Sequence, residues 1–207
     1  MGLSIKTCYT VKIQKQLDVT QDKTTEKLNI ARERAVDSRL MRQTSLICLE
    51  ALKFCVSVIS KEWDTIMSVE SKLRKRLIDT LVHRTKTAAP KYPEFDLRFP
   101  KMPGYTRRAI IADAFGMVKS YRSNHKNWEE TPPMERGAEP KLGLPSRYEL
   151  TFYDQERKMS CLADGQIGLK LYNGKTWNWY YFQISPSDAK QISRLSKTRK
   201  MLSPIVD

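Results

Sequence analysis

One stretch near the middle of the chain, Pro103–Trp128, decides the fold, and it reads PGYTRRAIIADAFGMVKSYRSNHKNW. Apolar residues recur in it at three- and four-residue spacing, which places them along one side of a helix. These residues are Ile110, Ile111, Ala114, Val118 and Tyr121. Pro103 and Gly104 precede the helix as breakers, and Ser and Asn residues between 123 and 127 indicate its end. We therefore predict an amphipathic helix here.

The remaining side of this helix is predicted to be basic. Its cations are Arg107, Arg108, Lys119, Arg122 and Lys126. The pattern alone leaves two interpretations open, a solvated surface over a core and a face that holds a phosphate backbone. Composition favours the second, because 37 Lys and Arg against 23 Asp and Glu give a net charge of +14. Each phosphate that a cation neutralises releases counterions, so nucleic acid is the expected partner.

The sequence gives no support for a membrane partner. No signal peptide is expected, because the apolar run near the N-terminus is short, and no stretch approaches the roughly 20 apolar residues of a span. Lys6 stands where the myristoylation pattern requires Ser or Thr. We expect a cytoplasmic protein.

Cysteine spacing gives no support for a metal site. The four cysteines form no C-x-x-C pair, and the chain has only two histidines. Cys48 and Cys55 lie seven residues apart in a helical pattern, which is typical of small buried apolar residues. We predict neither a metal nor a disulfide.

Two helices are predicted between residues 46 and 81. Apolar residues recur at helical spacing from Leu46 to Trp63 and again from Ile66 to Leu81, with Asp64 as a break or new cap. The second helix carries a basic face with Lys72, Arg74, Lys75 and Arg76. Before them we predict a strand over residues 6–15 and a charged, weakly amphipathic helix from about Thr20 to Arg39.

Prolines punctuate two connecting stretches. Residues 90–103 are predicted to be extended, with Tyr92, Phe95, Leu97 and Phe99 packing on the helices. Residues 131–147 are rich in Pro and Gly and are predicted to be a linker.

Beyond residue 147 the hydrophobic period changes to two. Strands are predicted at 148–153, 158–162, 167–172 and 176–184, with turns at Asp154–Gln155, Asp164–Gly165 and Asn173–Gly174. The aromatic residues of TWNWYYFQIS (176–185) are either core or a base-stacking surface. A basic helix over 185–200 carries Lys197, Arg199 and Lys200, and residues 201–207 resemble the approach to another strand.

These periods predict an α+β chain that contains a basic helical bundle and a small antiparallel barrel or sheet. The predicted boundaries are 1–18 for the first strand, 19–130 for the helical lobe, 131–147 for the linker and 148–207 for the remaining strands with a short basic helix, a part that we expect to be incomplete at its C-terminus.

The order of these pieces resembles the N-terminal half of the TnpB (OrfB) family, transposon-encoded RNA-guided DNA nucleases related to type V CRISPR effectors. The resemblance is carried by PGYTRRA with SYRSNHKNW, then by TWNWYYF and KMLSPIV, and it covers nearly the whole chain. It implies that the first strand and the later strands build one small antiparallel, oligonucleotide-binding β-barrel, the wedge domain, and that the basic helical bundle is inserted into it as a recognition lobe. Guide RNA and target DNA are the partners that it implies. It also implies a prokaryotic protein that is associated with the nucleoid when bound to DNA.

The sequence departs from that family where the chemistry would lie. Family members continue into a RuvC-like domain whose three carboxylates bind two metal ions, and into a zinc ribbon. Asp164-Gly165-Gln166-Ile167-Gly168 superficially resembles a D-x-G motif but falls at a predicted hairpin. We therefore expect no catalytic residues and no cofactor in this chain, with Mg²⁺ only in a missing or separate nuclease domain, and no activity of the chain alone.

The resulting hypothesis is binding of guide RNA and of an RNA–DNA heteroduplex, with sequence read by base pairing. Beyond the basic residues named above, we expect Tyr105, Tyr121, Asn124 and Trp128 to contact nucleic acid, with a core anchor as the alternative for Trp128. Two further functions stay open. One is a chain of a split nuclease completed by a RuvC-containing partner, and the other is a helix-turn-helix DNA-binding regulator.

Overall fold

The computed structural model describes residues 11–21, 28–86, 88–153, 155–158, 164–198 and 205–206. In chain order its elements are β1 (Ile13–Gln21), β2 (Leu28–Arg34), α1 (Ser38–Lys61), α2 (Trp63–Met67), α3 (Arg74–Val82), α4 (Glu94–Arg98), α5 (Gly104–Glu130), a 3-10 turn (Pro133–Glu135), β3 (Leu150–Thr151), β4 (Arg157–Lys158), β5 (Gln166–Tyr172), β6 (Trp177–Ile184), α6 (Pro186–Thr198) and β7 (Ile205–Val206). The predicted α+β class is confirmed.

The strands form an open five-stranded sheet, so the predicted barrel, which we expected to be incomplete at its C-terminus, is not closed. Five strands pair in the order β2-β1-β6-β5-β4, and β3 pairs with β7 in a separate two-stranded sheet. The long strands β1 and β6 are antiparallel neighbours, with Leu17 opposite Tyr181. Among the residues that the structure describes, the outer strands β2 and β4 do not pair with each other, and closure into a barrel requires such pairing.

The second strand replaces a predicted helix. Residues 28–34, which we expected to be helical, pair antiparallel with β1. Two of their charged residues pair across strands, because Glu33 binds Lys15 and Arg34 lies 3.1 Å from Asp18. Alternating charges suit an i, i+4 helix face and a cross-strand ladder equally well, so the sequence pattern did not distinguish the two.

The β5–β6 hairpin has the predicted turn. Asn173 Oδ1 accepts hydrogen bonds from the backbone N–H groups of Lys175 at 3.0 Å and Thr176 at 2.9 Å. Gly174 has a φ of +91°, a conformation that side-chain-bearing residues rarely adopt. The predictions for 167–172 and 176–184 are therefore confirmed almost to the residue. Residues 6–10, Asp154, 159–163 and 199–204, on which other predictions fall, lie outside the described residues.

Contacts divide the chain into two units. The sheet unit comprises residues 1–39, 152–171 and 178–204, and the helical unit comprises 40–151, 172–177 and 205–207. Whether the predicted boundaries at 18, 130 and 147 separate functional domains stays a prediction.

The longest apolar helix of the helical unit is α1, which spans 24 residues. Its buried side includes Cys48, Leu52, Cys55 and Ile59, each 1 % exposed or less, which confirms the prediction that the two cysteines are buried; both are free thiols. By length and composition α1 alone among the described helices is able to cross a membrane, yet half of its most apolar window is buried inside the protein. A core helix passes the same test, so this is weak evidence for a span.

The predicted single helix over Ile66–Leu81 is two helices. Residues 68–73 separate α2 from α3, and Arg74 bridges the break. Its guanidinium donates to the carbonyl oxygens of Val69 at 3.1 Å and Met67 at 3.3 Å. The bond to Met67 satisfies a carbonyl group that the end of α2 leaves unpaired, and the bond to Val69 ties the following turn to the start of α3.

The proline-rich connector contains a short helix that we did not predict. Pro93 stands just before α4, where a missing N–H has no cost, and no proline lies within α4. Phe95 and Phe99 are buried with ring centroids 4.9 Å apart, as expected. Leu97 instead is 79 % exposed, because a helical turn directs it away from Phe95 and Phe99.

Candidate nucleic-acid interface

The predicted basic helix is α5, and its apolar side lies in the core of the helical unit. Pro103, whose own backbone is extended, is the N-cap residue of α5, which starts at Gly104. Ile110, Ile111, Ala114 and Val118 are all 1 % exposed or less. The buried side fixes which residues of α5 face solvent.

Four cations share one solvent-facing sector of α5, and we call them the basic row: Arg108, Lys119, Arg122 and Lys126. All four are exposed. Steps of 11, 3 and 4 residues return to nearly the same side of a helix with 3.6 residues per turn, so the row occupies a sector of about 60°. At 1.5 Å per residue it extends about 27 Å.

The charge of the row is not neutralised by acids on the same side. The only acidic residue between Arg108 and Lys126 is Asp113, which points elsewhere and accepts a hydrogen bond from the Tyr148 hydroxyl at 2.8 Å. Lys126 lies 3.5 Å from Glu130, but both side chains are about two-thirds exposed or more. Exposed pairs of this kind are weak and screened by salt. The row therefore presents a line of positive charge to solvent.

Both arginines of the row lie over aromatic rings. The guanidinium carbon of Arg108 is 5.2 Å from the ring centroid of Tyr105, and that of Arg122 is 5.7 Å from the ring centroid of Trp63. Trp63 is a residue that sequence reasoning assigned only to the helix core. No spacing rule pairs residues 63 and 122, so only the fold reveals this contact.

Arg107 does not belong to the interface, which corrects its predicted place on the exposed side. It is 7 % exposed, and its Nε donates to Asp79 Oδ1 at 2.7 Å. The physical reason is its spacing, since Arg107 is three and four residues before Ile110 and Ile111 and so shares their side of the helix. We assign it a structural role that joins α3 to α5.

Three other predicted contacts lie on a different side of α5 from the row. Tyr121 is half-buried with its ring 5.7 Å from that of His125, and Asn124 is exposed. The Trp128 Nε1–H donates to the Gly137 carbonyl at 2.8 Å, and Arg136 lies 5.0 Å from its ring centroid. These bonds favour the core-anchor alternative for Trp128. Tyr105, by contrast, lies beside the row.

The basic residues before and within α3 have mixed surroundings. Lys75 and Arg76 are exposed, whereas Arg74 is occupied in closing the α2–α3 break. Lys72 is paired with Glu70 at 2.8 Å. Lys75 and Arg76 therefore remain candidates for a second cluster of phosphate contacts. Of the C-terminal candidates, Lys197 lies in α6, while Arg199 and Lys200 fall outside the described residues.

Two aromatic residues of β6, Trp179 and Tyr181, form a small cluster with residues of β1. Leu17 and Tyr181 are buried, with Val19 and Trp179 packed against them. Lys158 Nζ lies 4.8 Å from the Trp179 ring centroid and donates to Tyr181 Oη at 3.0 Å. Because Lys158 already covers the indole, these contacts favour the core interpretation of the aromatic pattern over base stacking.

The pKa values of Cys55 and Glu62 are shifted by burial and by hydrogen bonding, respectively. Burial raises the pKa of the Cys55 thiol to about 12, which keeps it protonated and unreactive at neutral pH. Hydrogen bonds from Lys91 and then from Tyr92 lower the pKa of Glu62. Among the described residues, no group of three or more His, Cys, Asp or Glu side chains is placed to hold a metal ion.

Comparison with known proteins identifies the family. The model of the Aq_aa04 family matches residues 24–173, which is more than half of the chain. No curated protein and no solved structure matches. The chain belongs to the Aq_aa04 family.

Proposed function

We propose that this member of the Aq_aa04 family binds the phosphate backbone of structured RNA through the basic row of α5. The observation that carries the proposal is the row itself, four exposed cations in one sector of a rigid helix without an acid among them. Phosphate contacts of this kind hold a nucleic acid without reading its sequence. The net charge of +14 would steer any polyanion toward the chain.

A more specific form of the proposal follows the resemblance to the TnpB family. In it the RNA is a guide, the second ligand is the heteroduplex that the guide forms with target DNA, and a RuvC-containing partner chain supplies cleavage with Mg²⁺. The chain would then bind and position nucleic acid without cutting it. This form of the proposal expects an oligonucleotide-binding barrel, and the antiparallel sheet agrees with it in strand direction but is not closed.

The direct test compares two variants of equal charge. The first replaces Arg108, Lys119, Arg122 and Lys126 by Gln, and the second replaces four cations elsewhere in the helical unit, Arg42, Lys53, Lys141 and Lys175, by Gln. Affinity for an RNA hairpin is measured by filter binding at low salt. We expect at least a tenfold loss for the row variant and a clearly smaller loss for the control. Equal losses would show that net charge alone drives binding and would refute the row as an interface.

The ligand class is tested with the unaltered chain. RNA that copurifies with it is sequenced, and affinities for an RNA hairpin, an RNA–DNA heteroduplex and a DNA duplex are compared at one salt concentration. We expect the two RNA-containing ligands to bind more tightly than duplex DNA. Preference for duplex DNA with no RNA requirement would instead support a DNA-binding regulator, for which exposed Lys75 and Arg76 on α3 are the relevant residues.

A further inference from the structure

The two arginines of the basic row differ from its two lysines in their surroundings. Arg122 lies over the Trp63 ring and Arg108 over the Tyr105 ring. Lys119 and Lys126 lie over no ring among the residues that the structure describes. Arginine, unlike lysine, has a planar cation that stacks on aromatic faces while its edge N–H groups stay available.

Trp63 is held in place independently of Arg122. It is half-buried at the start of α2, and its ring stacks on Phe115 of α5 with centroids 6.0 Å apart and an interplanar angle of 26°. Phe115 precedes Arg122 by seven residues, which is two helical turns, so both contact Trp63 from the same side of α5. The indole is therefore an anchored surface rather than a loose side chain.

The contacts of Arg122 leave its guanidinium with free donors. One Nη2 bond to the Ser60 carbonyl is long, at 3.5 Å, and the side chain remains exposed. A guanidinium has five N–H donors in a fixed plane, and a phosphate accepts two of them side by side. A free arginine loses rotamer entropy when it binds, whereas a stacked one has lost part of it already.

We propose that Trp63 is a positioning residue, which holds the Arg122 guanidinium over its ring so that the edge of the cation is presented to a phosphate of the bound nucleic acid. The inference rests on the proposed function, because it concerns the same row. It assigns to α2 a part in binding that neither charge nor spacing in the sequence indicates. Tyr105 stands in the same relation to Arg108.

The test is a double-mutant cycle on RNA hairpin affinity with Trp63→Leu and Arg122→Ala. A cation–π contact at an exposed site corresponds to about a two- to fivefold change in affinity. We expect Trp63→Leu to weaken binding by that factor in the unaltered chain and to have no further effect when Arg122 is already Ala. Trp63→Phe, which keeps a ring, should restore affinity to within about twofold of the unaltered chain.

Two outcomes overturn the inference while the proposed function stands. In one, Trp63→Leu weakens binding equally with and without Arg122, which would make its effect structural. In the other, Arg122→Ala weakens binding but Trp63→Leu has no effect. If Arg122→Ala itself leaves RNA affinity unchanged, Arg122 does not contact the RNA, and the inference about Trp63 is refuted.

A second pair of variants keeps the test valid if Trp63→Leu disturbs folding. Arg122→Lys retains the charge and leaves Trp63 and Phe115 untouched, and it should lower affinity by about two- to fivefold because the stacked plane is lost. Lys119→Arg, where no ring is in place, should leave affinity unchanged or slightly higher. If Arg122→Lys and Lys119→Arg change RNA affinity by the same factor, a positioning role for Trp63 is contradicted.

Discussion

Arg107 and Arg108 are neighbours in the sequence, yet one lies in the core side of α5 and the other in the basic row. Arg107 is buried against Asp79, so its charge is balanced inside the protein. Arg108 is exposed beside Tyr105, so its charge is available to a ligand. The comparison teaches that the charge of a residue predicts its role only together with its position relative to the apolar residues of the helix. The two sides should respond differently to the same substitution.

The largest effect is expected on the core side. Arg107→Ala leaves the Asp79 carboxylate without its partner in a partly buried site, which we expect to lower the free energy of unfolding by about 3 kcal/mol. Urea unfolding of the purified chain measures this. The double replacement Arg107→Met with Asp79→Leu should recover much of the loss, since no unpaired charge remains. A change below about 0.5 kcal/mol for Arg107→Ala would show that the pair is not buried.

A smaller core change should have an intermediate effect. Ile110→Val removes one methylene from a fully buried side chain, and we expect a loss of about 1 kcal/mol in unfolding free energy. The same urea titration applies, with the slope against denaturant unchanged. No loss at all would mean that this side of α5 is not packed as described.

The pH dependence of stability tests Glu62, an acid of the helical unit whose carboxylate accepts hydrogen bonds from two side chains. Because hydrogen bonds from Lys91 and Tyr92 lower the pKa of Glu62, its folded pKa lies below its unfolded value. The sign follows from linkage. Its contribution is fully present above the unfolded pKa of about 4.3 and is lost as pH falls through the folded pKa. Unfolding midpoints of Glu62→Gln and the unaltered chain, measured from pH 7 to pH 3, should converge toward acid; parallel curves would contradict this.

The smallest effect on stability is expected in the row. Lys119→Ala removes an exposed side chain, so the free energy of unfolding should change by less than about 0.5 kcal/mol. Thermal unfolding with RNA absent provides the measurement. A large loss of unfolding free energy would show that Lys119 has a structural role and does not belong to the basic row.

The sequence predicts those parts of the fold that depend on signals within a few residues, and it does not predict those that depend on tertiary contacts. The spacing of Ile110, Ile111 and Val118 predicts α5 and its buried side, and the Asn173–Gly174 turn predicts the β5–β6 hairpin, because both signals act within a few residues. The same spacing rule, applied strictly, also places Arg107 in the core. For residues 28–34, the charge pattern fits a helix and a strand equally well, so the sequence alone does not predict β2 without knowledge of its partner strand β1.

Two features depended on side-chain contacts that hydrophobic periodicity does not reveal. The break between α2 and α3 is closed by Arg74 bonding to backbone carbonyls, which hydrophobic periodicity does not report. The contact between Trp63 and Arg122 joins two helices, and no motif links their positions. Whether a sheet closes into a barrel likewise depends on pairing between its outer strands, which strand patterns alone leave undetermined.

The salt dependence of RNA binding tests the central claim most directly. The logarithm of the association constant of the unaltered chain for an RNA hairpin is measured from about 50 to 200 mM salt, beside the four-residue row variant and its charge-matched control. We expect a steep linear decrease for the unaltered chain, and a slope shallower by about 3 units for the row variant. The control variant should keep nearly the original slope. A slope that is equal in all three proteins would contradict phosphate binding along α5.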